Sequence, residues 1–350
     1  MPYSPALNNM RDGSTMSANF SDRARLATVF GGSGFIGRHI VRALAQQGWR
    51  VRVAVRRPDL AGFLQPLGDV GQIQLAQANL RYPSSIAEAL KGADAAVIAT
   101  GIQSQSGRQN FEAVHVFGPR EIARAAAAAG VSALAHVSGL GADPQSANGY
   151  IASKGRGDAA VREFFPAATI LQPSVVFGPE DKFLNRFAAL ARAMPALPLF
   201  CGGGALLQPL YVGDLALGCA NALNRPEAQG ANYELGGPDI VTLRQTVEMV
   251  LRLIGRRRVL IPLPHGASRA LARTTEIAAK ISLGLFPEIL TTTVDQIELL
   301  RVDNIVSAKA HAAQRDLAAL GVIAQGMEAI APSYLARFRR SGQFASNGAN

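Results

Sequence analysis

Tyr150 and Lys154 are separated by three residues, so on a helix they stand one turn apart on the same face. An ammonium beside a phenol favours the phenolate and lowers its pKa from about 10. Such a tyrosine can give or take a proton at a carbonyl or a carbinol. A second chemical feature precedes it. Gly31-Gly-Ser-Gly34-Phe-Ile-Gly37 joins a short apolar run, Leu26 to Phe30, to a helical stretch, Ile36 to Gln47. Gly31 suits a tight turn, Gly34 has no side chain to block a pyrophosphate, and Gly37 lets helix and strand pack closely. The helix start offers free N–H groups and a positive dipole end to phosphates. With Ser33, Phe35 and Ile36 completing the loop, this arrangement predicts a dinucleotide site.

The residues after the next strand candidate, Arg50 to Val55, bear on which dinucleotide it is. A site for NAD usually ends this strand with an acid that binds the ribose 2′-hydroxyl. Here the chain reads Arg56-Arg57, and no carboxylate follows until Asp59. A guanidinium makes two charge-assisted bonds to a 2′-phosphate, so the pair predicts NADP(H). NAD(H) is the alternative, with one or both arginines simply facing water. Thr100-Gly101 closes the fourth strand candidate, where small residues leave space for the adenosine ribose.

These residues require a scaffold, and the chain alternates accordingly. Ile73 to Ala76, Ala95 to Ala99, Ala133 to Val137 and Thr169 to Leu171 read as further buried strands. Ser84 to Leu90, Phe111 to Ala129 and Ala152 to Phe164 read as helices between them. Short apolar strands alternating with helices predict an α/β fold with a doubly wound parallel sheet covered on both faces. After Gly178, proline and glycine become frequent, and helices such as Leu243 to Leu253 and Ser268 to Ile281 follow. The expected organisation is a mobile tail over 1–25 and a Rossmann domain over 26–178, to which 208–236 returns. A smaller C-terminal lid over 179–207 and 237–340 follows, then a second mobile tail over 341–350. The first tail has no apolar core of a secretory signal, and its Asp12 and Asp22 argue against an organelle transit peptide.

Composition excludes several classes. Of 350 residues, 48% are apolar and 17% charged, which rules out a wholly disordered chain. No uninterrupted apolar run is long enough for a membrane-spanning helix. Two cysteines, Cys201 and Cys219, make neither a disulfide framework nor a metal cluster, and are expected to be buried, reduced thiols; no metal is expected. The net charge of +10 is nearly all arginine, without zinc-finger spacing or an RNA-binding aromatic signature, so nucleic acid is not an expected partner. Ser268 to Ile281 carries Leu271, Ile277 and Ile281 beside Arg269, Arg273 and Lys280. It reads either as an amphipathic helix at a lipid interface or as a helix packed on its own lid.

The G-x-x-G-x-x-G loop followed by Tyr-x-x-x-Lys resembles the short-chain dehydrogenase/reductase superfamily, particularly its extended members. The resemblance implies a seven-stranded Rossmann sheet, Tyr150 as acid or base, and Lys154 also on the nicotinamide ribose. It implies that Asn79-Leu80, where relatives carry Asp-Leu, lies against the adenine, and that Pro173 and Val176 join the cofactor contacts. It also implies a catalytic Ser or Thr and an Asn. Ser138 is the candidate hydroxyl, although in extended relatives that hydroxyl often aligns with Gly139. His115 stands in the place of the Asn, as a substitute base or as a buried, hydrogen-bonded histidine.

Five stretches are similar to a narrower, atypical group. They are His136 to Asp143, Tyr150 to Gly157, Leu171 to Phe187, Gln208 to Asp214 and Asp303 to Ser307. The group contains the nucleotide-binding accessory subunit of respiratory complex I, alpha-subcomplex subunit nine, and bacterial relatives. This resemblance implies tightly held NADP(H) in a structural or regulatory role with little turnover. The implied partner is a respiratory-chain complex or proteins of quinone biosynthesis, in the cytoplasm or peripherally on the inner membrane. An active NADPH-dependent reductase or epimerase acting on an apolar or quinone-precursor substrate is the alternative. A regulator that senses NADP(H) occupancy is a third reading.

Overall fold

The structure, a computed structural model, describes residues 24–105, 107, 109–281, 291–340 and 342. The expected tails, 24–25 and 342 apart, lie outside the described residues. In chain order the first elements are β1 (Leu26–Phe30), α1 (Phe35–Gln46), β2 (Arg50–Val55), β3 (Ile73–Gln77), α2 (Pro83–Leu90) and β4 (Ala95–Ile98). Then come a π-helical segment Glu112–Phe117, α3 (Gly118–Ala128), β5 (Ala133–Val137), α4 (Gly149–Phe164) and β6 (Thr169–Pro173). The chain continues through β7 (Val176–Phe177), α5 (Leu184–Ala193), β8 (Ala196–Leu199), β9 (Leu206–Leu207), β10 (Leu210–Tyr211), α6 (Val212–Leu223) and β11 (Asn232–Leu235). It ends with β12 (Val241–Thr242), α7 (Leu243–Leu253), β13 (Val259–Pro262), α8 (His265–Ile281), α9 (Val294–Leu299), α10 (Ala308–Ala312) and α11 (Met327–Leu335).

Seven strands form one sheet in the order β3-β2-β1-β4-β5-β6-β11, and every pairing is parallel. The apolar runs explain this choice: every residue of β1, β4 and β5 is buried, as strands covered on both faces require. On one face, Ile40, Val41 and Leu44 of α1 pack with Leu215, Ala216 and Cys219 of α6. On the other, Ile86 and Leu90 of α2 meet Ile122, Ala123 and Ala126 of α3 and Val161 of α4. The alanines of α3 let that helix lie close to its neighbours. A third core joins Leu184 and Ala188 of α5, Leu197 and Leu199 of β8, Val247 and Val250 of α7, and Leu335 of α11.

Polar side chains fasten the C-terminal segments to the sheet. Asn304 Oδ1 accepts from the Ser174 hydroxyl and the Val175 N–H, and Gln208 Oε1 accepts from the Val306 N–H. Ser307 donates its N–H and its hydroxyl to Glu234 on β11. The Asp214 carboxylate takes two bonds from Gln325. The stretches 208–214 and 303–307 thus serve as joints.

Leu271 and Ile277 of α8 face outward, 39% and 50% exposed, while Ser268 and Ala272 are fully buried. The buried seam of this helix is made of small residues and lies against α9 and the turn after β8. The side chains of Lys280 and Ile281 lie outside the described residues.

The β1–α1 turn is tightly packed. Gly31 has φ +81°, a left-handed conformation that disfavours any side chain. A Cβ on Gly37 would stand 2.2 Å from the Gly31 carbonyl oxygen. Gly37→Ala should therefore cost about 1–3 kcal/mol of unfolding free energy through overpacking. Gly34→Ala, whose new Cβ meets only the Gly31 oxygen at 3.2 Å, should change it by less than about 0.5 kcal/mol. Urea denaturation of the two variants checks this.

Candidate functional site

The strand order reverses between β1 and β4, and in open parallel sheets ligands bind beyond the carboxyl ends of strands at such a point. The glycine loop lies there. The Gly31 Cα is close enough to β4 that a Cβ would be 2.8 Å from the Ala99 oxygen. Gly34, exposed, opens α1, so the free N–H groups of that helix point to the crevice. Gly32 is a glycine that the loop pattern does not single out. A Cβ there would meet Val53 at 2.6 Å, so it is required by the core and not by a ligand.

Arg56 and Arg57 follow β2, and both are exposed. They are not equivalent. Arg57 donates from Nε and Nη2 to Asp59, with Nη2 2.9 Å from Oδ2, and this holds the Asp59 carboxyl below its ordinary range. Asp59 therefore occupies one of the two guanidinium groups. Asn79, after β3, accepts the Arg81 N–H on its side-chain oxygen, and Leu80 packs where a Cβ on Gly118 would stand. Pro173 ends β6 and pairs with Leu235, while Val176 pairs with Leu210.

At the ends of β4 and β5 two hydroxyl oxygens, Oγ1 of Thr100 and Oγ of Ser138, are buried with no hydrogen-bond partner among the described residues. Buried polar groups are ordinarily paired. Unsatisfied hydroxyls beside a glycine cradle are the features expected of a pocket for a hydroxyl-rich, phosphorylated ligand. The residues present fit a pyridine dinucleotide.

Tyr150 and Lys154 lie on α4, whose start is capped by Asn148 accepting from the Tyr150 and Ile151 N–H groups. Lys154 is buried, and its Nζ is 3.5 Å from the Val137 oxygen. Burial draws the lysine down to about 8, partly opposed by Asp158, and pushes the Tyr150 phenol up to about 12. The tyrosine is thus not the lowered phenol that the spacing suggests. Burial penalises the charged phenolate and so favours the neutral phenol.

His115 belongs to the π-helical segment and is buried. Its Nε2 accepts the Ile102 N–H at 3.1 Å, so Nδ1 carries the proton and donates to Ser153 Oγ at 2.8 Å. The Ser153 hydroxyl in turn donates to the Tyr150 carbonyl oxygen. Burial, then Lys154, takes His115 down to about 3, so it stays neutral. Both ring nitrogens are engaged in structure, which answers the question of its role in favour of the buried, hydrogen-bonded histidine.

Gly139 explains the rest. A Cβ built there would lie 4.0 Å from the Tyr150 hydroxyl and meet nothing nearer. A serine at 139 would reach the phenol; Ser138 has no bond to it. Sequence reasoning did not single out a second buried pair, His136 Nε2 and Asp158 Oδ1 at 3.4 Å, below Lys154. Asp158 lies one turn beyond Lys154, a spacing that was visible. Glu180 was also missed as a link: it reaches back to His39 on α1 at 3.1 Å, tying the 179–187 stretch to the nucleotide helix. Asp181 accepts from the Gly178, Phe183 and Asn185 N–H groups and from the Tyr334 hydroxyl.

Known proteins agree with this geometry. The family model described as NAD(P)H-binding matches residues 31–182, and the chain binds a pyridine nucleotide. An NADPH-dependent quinone oxidoreductase from Escherichia coli, solved with NADPH, shares the fold. Its TM-score is 0.64 at 19% identity, over 88% of this chain and 99% of that one. Ceramide reductase of Caulobacter vibrioides is 36% identical over 179 residues, 51% of this chain and 55% of that protein. Rat mitochondrial NADH dehydrogenase [ubiquinone] 1 alpha subcomplex subunit 9 is 34% identical over 284 residues, 81% of this chain and 73% of that protein. A parallel seven-stranded sheet, a glycine cradle and likeness at that identity and coverage place the chain in the family of complex I alpha subcomplex subunit 9.

Proposed function

We propose that this protein is a nucleotide-holding accessory subunit of a respiratory NADH–quinone oxidoreductase, with NADP(H) as the resident nucleotide and little turnover. The observation that carries the reading is the bare backbone at Gly139 beside Tyr150. The phenol has no hydroxyl partner there, burial raises its pKa, and the histidine in the relay position is fixed and neutral. When bound, the nucleotide supplies hydride chemistry, but the residues around it favour holding over reacting. Gly31, Ser33, Gly34, Phe35, Ile36 and Gly37 cradle the pyrophosphate. Thr100 and Gly101 border the adenosine ribose, and Lys154 holds the nicotinamide ribose. The C-terminal segments act as a lid. Among the described residues no helix is long and apolar enough to cross a membrane. The outward Leu271 and Ile277, with Arg269 and Arg273, support contact with the inner-membrane surface next to that complex.

The second reading, an NADPH-dependent reductase acting on an apolar or quinone-precursor substrate, is favoured by the retained Tyr150 and Lys154 on one face of α4. Gly139→Ser separates the two. Gly139 does not occupy the left-handed region, so a serine fits its backbone. With a generic aromatic aldehyde or a short-chain quinone, the parent should oxidise NADPH slowly or not at all. Gly139→Ser should raise the rate by roughly 10²-fold, the low end for a positioned acid–base group. A parent that is already fast, and loses its rate in Tyr150→Phe with nucleotide binding intact, overturns the accessory role and supports the reductase.

Nucleotide choice rests on Arg56. Because Arg57 is already paired with Asp59, Arg56→Ala should remove most of a preference for NADPH over NADH, and Arg57→Ala less. The expected loss is about 1.5–3 kcal/mol of charge-assisted bonding to the 2′-phosphate. Titration calorimetry with both nucleotides measures it; equal affinities in the parent protein contradict NADP(H) selectivity.

A further inference from the structure

Among the C-terminal segments, three side chains from separate elements meet. Cys201 lies in the turn after β8, His265 opens α8 and Glu298 is on α9. The Cys201 Sγ is 3.7 Å from His265 Nδ1, and His265 Nε2 is 3.4 Å from Glu298 Oε1. A thiol, an imidazole and a carboxylate in this order form the chain that a base-assisted nucleophile needs: the imidazole can take the thiol proton while the carboxylate steadies the resulting cation. The two cysteines differ sharply. Cys219 is fully buried within the α1–α6 core, whereas Cys201 is only half-buried, which corrects the expectation of two buried thiols. The side chains of His265 and Glu298 are 35% and 25% exposed, so a small reagent has access to the group.

The backbone at Cys201 is also unusual. It has φ +51° and ψ +34°, and Gly202 and Gly203 after it have positive φ as well. A left-handed conformation is uncommon for a residue with a Cβ, and such strain is held only where the surroundings fix it. The surroundings do so here: the Cys201 N–H donates to Ser268 Oγ on α8, and the Gly202 N–H to the Leu263 oxygen. The turn thus presents the sulfur to His265.

We propose that Cys201 is a thiol–disulfide exchange site, with His265 as its base and Glu298 as the positioning carboxylate, and that it takes a low-molecular-weight disulfide as reagent. Sγ attacks one sulfur of the disulfide. The reagent's S–S bond breaks, a new S–S bond forms to Cys201, and the Cys201 proton passes to His265 Nδ1. The departing thiolate collects that proton and leaves as a free thiol. Nothing is consumed beyond the disulfide. The charges facing the group are Glu298 from α9, Arg269 from α8 at 3.9 Å from Glu298, and Arg301 at 3.3 Å. Burial, with Glu298 adding, keeps the resting sulfur a thiol, against the pull of Ser268 and Arg301. A base is therefore needed for reaction at neutral pH.

The test uses the full-length protein, oxidised glutathione as the disulfide, and peptide mapping by mass spectrometry to follow each cysteine. At pH 7, Cys201 should form the mixed disulfide and Cys219 should not. His265→Gln should slow the reaction at Cys201 by at least tenfold at pH 7. The gap should narrow as the pH rises past the raised pKa of the Cys201 thiol, where the sulfur ionises without a base. A merely structural histidine would not give that pH-dependent convergence. Glu298→Gln, which keeps shape and leaves His265 in place, should slow it several-fold and serves if His265→Gln does not fold. No adduct at Cys201, or an unchanged rate at pH 7 in a folded variant, overturns the proposal.

Discussion

The whole site depends on one close approach. The first turn of α1 sits on the β1 turn so tightly that Gly37 has no room for a Cβ against the Gly31 carbonyl. That contact aims the start of α1 at the ends of β1 and β4. It also sets α1 against α6 and so fixes the face on which the C-terminal segments are fastened. Glu180 then ties the 179–187 stretch back to His39 of the same helix. A nucleotide in the crevice therefore touches the element that both halves of the molecule share. Ligand binding to the folded state stabilises it by mass action, and α1, through its His39–Glu180 link, is one of the elements that join the crevice to the 179–187 stretch.

Burial decides the chemistry beside that cradle. Tyr150 and Lys154 keep the spacing of an acid–base pair, yet desolvation moves the phenol up to about 12, further from neutral pH, and the ammonium down to about 8. His115 fills both of its nitrogens with structural bonds, and Gly139 gives the phenol no hydroxyl to work with. Each substitution is small. Together they are the basis of the proposed role as a nucleotide holder.

Much of this was legible from residue types. The buried apolar runs gave the parallel sheet, because only a strand covered on both faces can be apolar throughout. The glycine loop and the Tyr-x-x-x-Lys spacing located the crevice, since both are local in sequence. What escaped was set by contacts distant in the chain. One exception is local: the pairing of Arg57 with Asp59, two residues apart, depends on the conformation of the turn after β2. The outward aim of Leu271 and Ile277 depends on a seam of Ser268 and Ala272 that no hydropathy pattern distinguishes. The His136–Asp158 pair and the Cys201–His265–Glu298 chain bring together residues whose spacing carries no signal until the fold is known.

The most direct measurement is the fate of NADPH on the protein itself. The purified chain is loaded with stoichiometric NADPH, mixed with excess short-chain quinone, and followed by nicotinamide fluorescence while a parallel sample is melted. The expected result is NADPH that stays reduced for hours, with unfolding free energy raised by about 2.7 kcal/mol when ligand is about 100 times its dissociation constant. Nucleotide oxidised within seconds, or melting unchanged by NADPH, would contradict a protein built to hold its nucleotide without spending it.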